Sequence, residues 1–264
     1  MSKPEQKGER LAKFLARAGL ASRRASERLI AAREVTVNGR VVTDPAHPVT
    51  SLDAVAWRDK PVAPPELGPK TYIMLHKPVG VLTTMKPGKE EGPCVADYVN
   101  MPGRIYPVGR LDRESSGMLI MTDDGDLTLR LTHPRHEVEK EYYVKLHRPL
   151  IARDIPRIEK GIKVDDRVVV VRDLGPAPGG RLRIVITEGR NRIVRRLFGA
   201  IKYNVLELKR IRIGPLSLGR LAVGHWRKLT DKEVQLLGDA IHETNNEPLV
   251  VLPPVRRARS SSAS

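Results

Sequence analysis

From Gly8 onward apolar residues recur at helical spacing: Leu11, Leu15 and Ala18 share one face with Phe14 beside them, and Gly19 follows where a helix end is commonly closed. Ser22 offers the hydroxyl of a good N-cap to a second helix carrying Ala25, Leu29 and Ile30. The period then drops to two, as Val35 and Val37 alternate into Asn38-Gly39, a pair that tolerates the positive φ angles of a tight hairpin. Two short helices leading into a hairpin are predicted. Residues 60–69 hold Pro61, Pro64, Pro65 and Pro69, which remove amide donors and disfavour both helix and sheet, so a linker is expected over residues 58–70. Beyond it, strand patterns cover residues 72–75, 119–121, 142–146, 168–171, 182–186 and 205–213. Strands outnumber helices without a regular strand-helix alternation. The chain is therefore expected to be α+β, with a mixed, mainly antiparallel sheet in its larger part rather than a doubly wound one.

This organisation places a small domain at residues 8–57, the linker at 58–70, a larger domain at 71–245 and a tail at 246–264. The tail mixes arginines with a serine run, has almost nothing to bury, and is expected to be disordered. With 264 residues and 40% hydrophobic content, the chain has the material for one ordinary core and a smaller one. No stretch approaches the roughly 20 apolar residues needed to cross a bilayer. The first seven residues lack the apolar core of a signal peptide, so a cytoplasmic protein without membrane contact is expected, and separately a monomer. A lone cysteine, Cys94, excludes an intrachain disulfide and any cysteine-rich zinc pattern. In its Gly92-Pro93-Cys94-Val95 setting the thiol has no base or cation to activate it, so a buried structural role is expected. The pair His133 and His136 reads as a polar loop around Pro134 rather than a metal site, and no metal is expected.

Charge changes the picture. Lysine and arginine total 47 against 31 aspartate and glutamate, a formal charge of +16, which points to an acidic polymer as partner, nucleic acid ahead of an anionic membrane. Part of that charge sits on the polar side of the first two predicted helices, in Arg10, Lys13, Arg17, Arg23, Arg24 and Arg28. Such a collection serves either as a phosphate-binding face or simply as a solvated basic one.

Two stretches carry candidate chemistry. In the first, Asp112 stands between Arg110 and Arg113 in a glycine-punctuated loop that feeds a strand, and adjacent cations favour an ionised carboxylate able to act as a nucleophile. On local grounds the commoner role of Arg-Leu-Asp is a salt bridge or turn cap. In the second, Ile193, Val194, Leu197, Phe198 and Ile201 fall on one arc of a helical wheel while Arg192, Arg195 and Arg196 fall on the other. That arrangement packs one face and turns the other toward anions, or toward internal salt bridges.

The N-terminal motifs Arg10-Leu11-Ala12-Lys13-Phe14-Leu15-Ala16, Gly19-Leu20-Ala21-Ser22-Arg23-Arg24-Ala25 and Val35-Thr36-Val37-Asn38-Gly39 resemble the αL RNA-binding domain found in small-subunit ribosomal protein four. Further on, four motifs follow in order: His76-Lys77-Pro78-Val79-Gly80; Gly109-Arg110-Leu111-Asp112 running to Thr122-Asp123-Asp124-Gly125; Lys140-Glu141-Tyr142; and Glu188-Gly189-Arg190-Asn191-Arg192 through Arg195-Arg196-Leu197. In this respect residues 72–229 resemble the RsuA/RluB family of ribosomal RNA pseudouridine synthases, and its RluB branch in particular. The closing stretches Leu208-Lys209-Arg210 and Ile213-Gly214-Pro215-Leu216 are similar to the large-subunit branch.

The resemblance implies a cofactor-independent isomerisation of uridine to pseudouridine, with large-subunit ribosomal RNA as substrate. It implies Asp112 as the catalytic aspartate, Tyr142 as the tyrosine packed against the target base, Arg195 as the arginine paired with the carboxylate, and Leu208 as a leucine near the site. Tyr142 suits that role physically, since it offers a flat face for a flipped base and a hydroxyl for a proton. Lys77, Arg110, Arg190, Arg192 and Arg196, with the N-terminal Arg10, Lys13, Arg17, Arg23 and Arg24, are the expected RNA contacts. Ile193 departs from the family, which commonly has glutamine there. The rival readings are a non-catalytic ribosome-assembly factor built on the same RNA-binding module, a small-subunit RNA pseudouridine synthase, and a methyltransferase. The last lacks its glycine-rich cofactor loop.

Overall fold

The structure is a computed structural model, described over residues 8–63, 69–86, 91–101 and 103–243. The tail expected at 246–264 lies outside the described residues. The chain divides between Pro69 and Lys70 into two compact units.

In the N-terminal unit the helices Leu11–Arg17 and Arg23–Ala31 form as their spacing predicts, and the Ser22 hydroxyl caps the second by accepting from the Ala25 amide at 3.3 Å. The Val35–Val37 and Arg40–Val41 strands close on Asn38 and Gly39, both at positive φ, 51° and 77°. Val55–Trp57 and Lys60–Pro61 complete a four-stranded antiparallel sheet. Leu11, Phe14, Leu15, Ile30, Val35, Val49 and Val55 form a common core under it. Lys60 and Pro61 lie in the stretch expected as linker, yet they form the outer strand of this sheet. An edge position accommodates a proline because one side of the strand has no neighbour to bond.

The C-terminal unit is built on a nine-stranded sheet whose main path runs Asp173–Ala177, Arg181–Ile186, Lys140–Leu146, Val205–Ile213, Ser116–Thr122, Tyr72–Lys77 and Trp226–Lys228. Every neighbouring pair on it is antiparallel except Val205–Ile213 with Ser116–Thr122, which run parallel at the centre. The expected α+β class with a mainly antiparallel sheet is what forms.

Strand alternation sends neighbouring residues to opposite faces. Ile73, Leu75, Leu119, Met121, Tyr142, Val144, Ile184 and Leu208 pack on one face with Ile193, Val194, Leu197 and Phe198 of the Ile193–Ala200 helix. Met74, Met118, Ile120 and Ile213 pack on the other with Leu127 and Leu131 of the Gly125–Thr132 helix and Leu237 of the Asp231–Glu243 helix. Each of these large apolar side chains contributes about 1.5–3 kcal/mol by leaving water. The strand expected at 168–171 spans Arg167–Val169, with Val169 and Val171 buried and Val168 and Val170 exposed, as one-sided packing requires.

Candidate active site

A cleft of about 400 Å³ is lined by residues of both apolar clusters, Leu208 and Ile193 of the first and Leu131 and Ile213 of the second. Asp112, Tyr142, Leu208 and Ile193 line it together with Arg110, Lys140, Arg190, Arg192 and Arg210. Residues 42 to 68 positions apart in sequence are thus brought together, because the central strands deliver them side by side: Tyr142 faces Arg210 on one neighbouring strand and Ile184 on the other, and Val144 faces Leu208.

The loop bearing Asp112 is fastened on both sides of that residue. The Thr83 hydroxyl donates to the Leu111 carbonyl at 2.6 Å and accepts from the Leu111 amide at 3.2 Å. The Gly80 amide donates to the Arg113 carbonyl at 2.7 Å, and Lys77 Nζ to the Ser115 carbonyl at 2.8 Å. Arg195 Nη2 donates to the Glu114 carbonyl at 3.0 Å, and its Nη1 to the Val205 carbonyl at 2.8 Å. The backbone is therefore held through Leu111, Arg113, Glu114 and Ser115, whereas among the described residues the half-buried Asp112 carboxylate enters no ion pair. A carboxylate aimed by its neighbours' backbone keeps its own oxygens available for chemistry.

Several site residues differ from expectation. Arg195 does not pair with Asp112. It lies in the first turn of the Ile193–Ala200 helix, where its two terminal nitrogens meet carbonyls of the loop and of the Val205–Ile213 strand, and it reaches Asp112 through charge rather than contact. Burial and the neighbouring Arg192 lower its pKa. Lys77 is fully buried, with Nζ donating to the Pro78 and Ser115 carbonyls, so it supports the loop instead of meeting RNA. Burial holds it down at about 8, against the opposing pull of Asp112 and Glu114.

The arginines expected to face anions also have internal partners. Arg190 pairs with Glu188, Arg192 with Glu114 at 2.7 Å, and Arg196 with Asp165. The hydrogen bond from Arg192 lowers the Glu114 pKa. Arg110 and Arg192 remain exposed at the cleft. In the N-terminal unit Arg10, Arg23, Arg24 and Arg28 are exposed, Lys13 is half-exposed, and Arg17 pairs with Glu9.

Sequence reasoning missed Lys140 and Arg210 as cleft residues, and Thr83 as a clamp. Lys140 sits two positions before Tyr142, so the strand period alone places it on the same face. Ile193, where the family commonly has a polar glutamine, contributes an apolar wall and is buried. Cys94 is buried, and His133 is exposed beside a buried His136. Among the described residues no group of histidine, cysteine and carboxylates has the makings of a metal site, and no helix is long and apolar enough to cross a membrane. A second cavity of about 450 Å³ lies beside the Asp231–Glu243 helix; of its charged lining residues Arg220, Arg227 and Glu233, the last two pair with each other at 2.7 Å.

A small helix-and-hairpin unit is followed along the chain by a central-sheet unit with a clamped aspartate loop. The sequence profile described as RNA pseudouridylate synthase matches residues 71–200, and that described as S4 domain matches residues 9–55. An uncharacterized RNA pseudouridine synthase of Aquifex aeolicus is 37% identical over 88% of this chain and 94% of its own. Ribosomal large subunit pseudouridine synthase B of Bacillus subtilis is 37% identical over 87% and 95%. The dual-specificity RNA pseudouridine synthase RluF of Escherichia coli is 31% identical over 96% and 85%. A crystal structure described as a pseudouridylate synthase superposes with a TM-score of 0.63 at 28% identity, covering 87% of this chain and 99% of that one. The chain belongs to the RsuA/RluB family of RNA pseudouridine synthases, and it is an isomerase of that kind.

Proposed function

We propose that the protein converts a specific uridine of large-subunit ribosomal RNA to pseudouridine, with Asp112 as the catalytic carboxylate, Tyr142 as the ring against which the extruded base packs, and Arg195 as the residue that fixes the Asp112 loop. The observation carrying this reading is that Asp112 and Tyr142 line one cleft while the backbone on both sides of Asp112 is clamped. The large-subunit assignment rests on the likeness to the Bacillus subtilis enzyme, whose name specifies that substrate.

The reaction separates uracil N1 from C1′ of the ribose, turns the detached base within the site, and joins its C5 to C1′. Nothing is oxidised or reduced, so no cofactor is called for. Asp112 acts at the sugar, and Tyr142, 7% exposed, supplies an apolar face for the base and a hydroxyl for a proton. The route through a glycal-like sugar intermediate fits the family resemblance, with Tyr142 as proton acceptor. Before any of this the target base must leave its stack, at a cost of a few kcal/mol. Exposed Arg110 and Arg192 at the cleft, and the basic helices of residues 8–57, offset that cost by holding phosphates. Residues 71–245 perform the chemistry and residues 8–57 add affinity. The protein is read as a monomer working in the cytoplasm, where ribosomes are assembled.

Asp112→Asn tests the assignment. Its pseudouridine yield on rRNA should fall to background while RNA binding is retained, and normal turnover by that variant sinks Asp112 as the catalytic group. A pseudouridine map of rRNA from cells lacking the gene names the target. Loss of a small-subunit site instead of a large-subunit one overturns the substrate assignment.

A further inference from the structure

Two cations on the cleft floor have no part in the chemistry described so far. Lys140 and Arg210 both line the cleft on either side of Tyr142, Lys140 two residues before it on the same strand and Arg210 opposite it on the next. Neither enters an ion pair among the described residues. The carboxylates flanking Lys140 are engaged elsewhere, Glu139 and Glu141 both holding Arg212 at 2.9 and 2.8 Å. Lys140 Nζ donates to the Val138 and Thr187 carbonyls at 2.8 and 3.3 Å, two of its three protons. Arg210 is 4% exposed, donates Nε–H to the Met118 carbonyl at 2.9 Å, and leaves Nη2 buried without a partner. Charge without an ionic partner is costly inside a fold, so a buried Arg210 and a half-buried Lys140 in one small cleft point to an anion that arrives there.

Depth decides which anion. Phosphates of an extruded nucleotide stay with the RNA strand at the mouth, where Arg110 and Arg192 are exposed, and the base goes to the floor beside Tyr142. When N1–C1′ breaks, its electron pair remains on the base and uracil becomes an anion. The charge is discharged when C5 bonds to C1′, the C5 proton is lost and N1 regains one, so that atoms and electrons balance.

We propose that Lys140 and Arg210 form a cationic floor that stabilises the negative charge on the detached uracil ring. The inference rests on the reading of this cleft as the uridine site. Fixed charges in a water-poor cleft act strongly on charge that develops only during reaction, and they need no reorganisation to do so. Burial, with Arg210 nearby, also brings the Lys140 ammonium down to about 8, close to the range in which a lysine can both hold and yield a proton.

The test uses the full chain with in vitro transcribed large-subunit rRNA made with either uridine or 5-fluorouridine, whose electron-withdrawing fluorine makes the ring a better anion without outside help. For Lys140→Met the single-turnover rate at saturating RNA should fall roughly 100-fold on uridine. RNA affinity should stay within about two-fold, and the loss on 5-fluorouridine, read as cleavage of the N-glycosidic bond, should be smaller by about five-fold or more. Lys140→Arg should recover most of the rate. Arg210→Met should repeat the pattern, and if the lost bond to Met118 prevents its folding, the two Lys140 variants decide alone. Equal losses on both bases, or weakened RNA affinity with an intact saturating rate, overturn the proposal, the latter reassigning the cations to a phosphate. If the wild type is active and Asp112→Asn inactive while Lys140→Met keeps full rate, only this inference fails. If Asp112→Asn is active, the reading of the cleft fails with it.

Discussion

Gly117 lies so close to the backbone of Arg210 that a Cβ added to it would stand 2.6 Å from the Arg210 amide nitrogen. This is where the Ser116–Thr122 and Val205–Ile213 strands run parallel, five residues after Asp112 and beside the cleft floor. Gly117 also has φ of 111°, which side chains rarely adopt. Gly117→Ala should therefore destabilise the C-terminal unit by about 3 kcal/mol and remove activity. Chemical denaturation and pseudouridine yield check this, and a variant of wild-type stability would show that the two strands separate easily.

Thr83 holds Leu111 by two bonds through one hydroxyl, which donates to the carbonyl and accepts from the amide. Thr83→Val keeps the shape and leaves a buried carbonyl and amide unpaired, at about 1–3 kcal/mol. The single-turnover rate should fall more than RNA affinity, because the Asp112 loop loses its register while the exposed arginines are untouched. A drop in affinity with an unchanged rate would speak against Thr83 as a clamp.

The basic face of the N-terminal unit is tested by replacing Arg10, Lys13, Arg23 and Arg24 together with alanine. Affinity for rRNA should weaken, and the slope of log affinity against log salt should flatten by about two to three units if each cation releases one counterion from a single strand. The rate at saturating RNA should hold. An unchanged salt slope would remove this face from the RNA interface.

Lys77 and Lys140 are both held near 8 in the folded protein by burial. An unfolded lysine keeps its proton to about 10.5, so between these values the unfolded chain binds more protons and stability rises with pH. For the fully buried Lys77 the rise from pH 7 to 10 amounts to about 2 kcal/mol. Lys77→Met should lose that increment, so the stability gap between wild type and variant should shift in favour of wild type by this amount across the window. Denaturant titrations at the two pH values measure it, and a pH-independent gap would mean that Lys77 titrates normally.

Much of the fold is legible along the chain wherever one residue type repeats with a short period. The helices Leu11–Arg17, Arg23–Ala31 and Ile193–Ala200 and the long strand Val205–Ile213 follow from local spacing, and the Asn38-Gly39 turn from two residues alone. The edge strands were not legible. Lys60–Pro61 and Asp173–Ala177 contain prolines that argue against a strand, and each becomes one because a neighbouring strand offers its free edge.

The sequence by itself determined the order of motifs and the excess of positive charge, because these are properties of residue identity and spacing, and it singled out Asp112 and Tyr142 only through the family resemblance those motifs carry. Only the tertiary structure decided which cations remain available. Lys77 and Arg195 became supports of a loop, Arg190, Arg192 and Arg196 acquired acidic partners, and Lys140 and Arg210 were left in the cleft without any. Apart from Arg190 with Glu188, these pairings join residues 31 to 81 positions apart in sequence, and no local pattern encodes those distances.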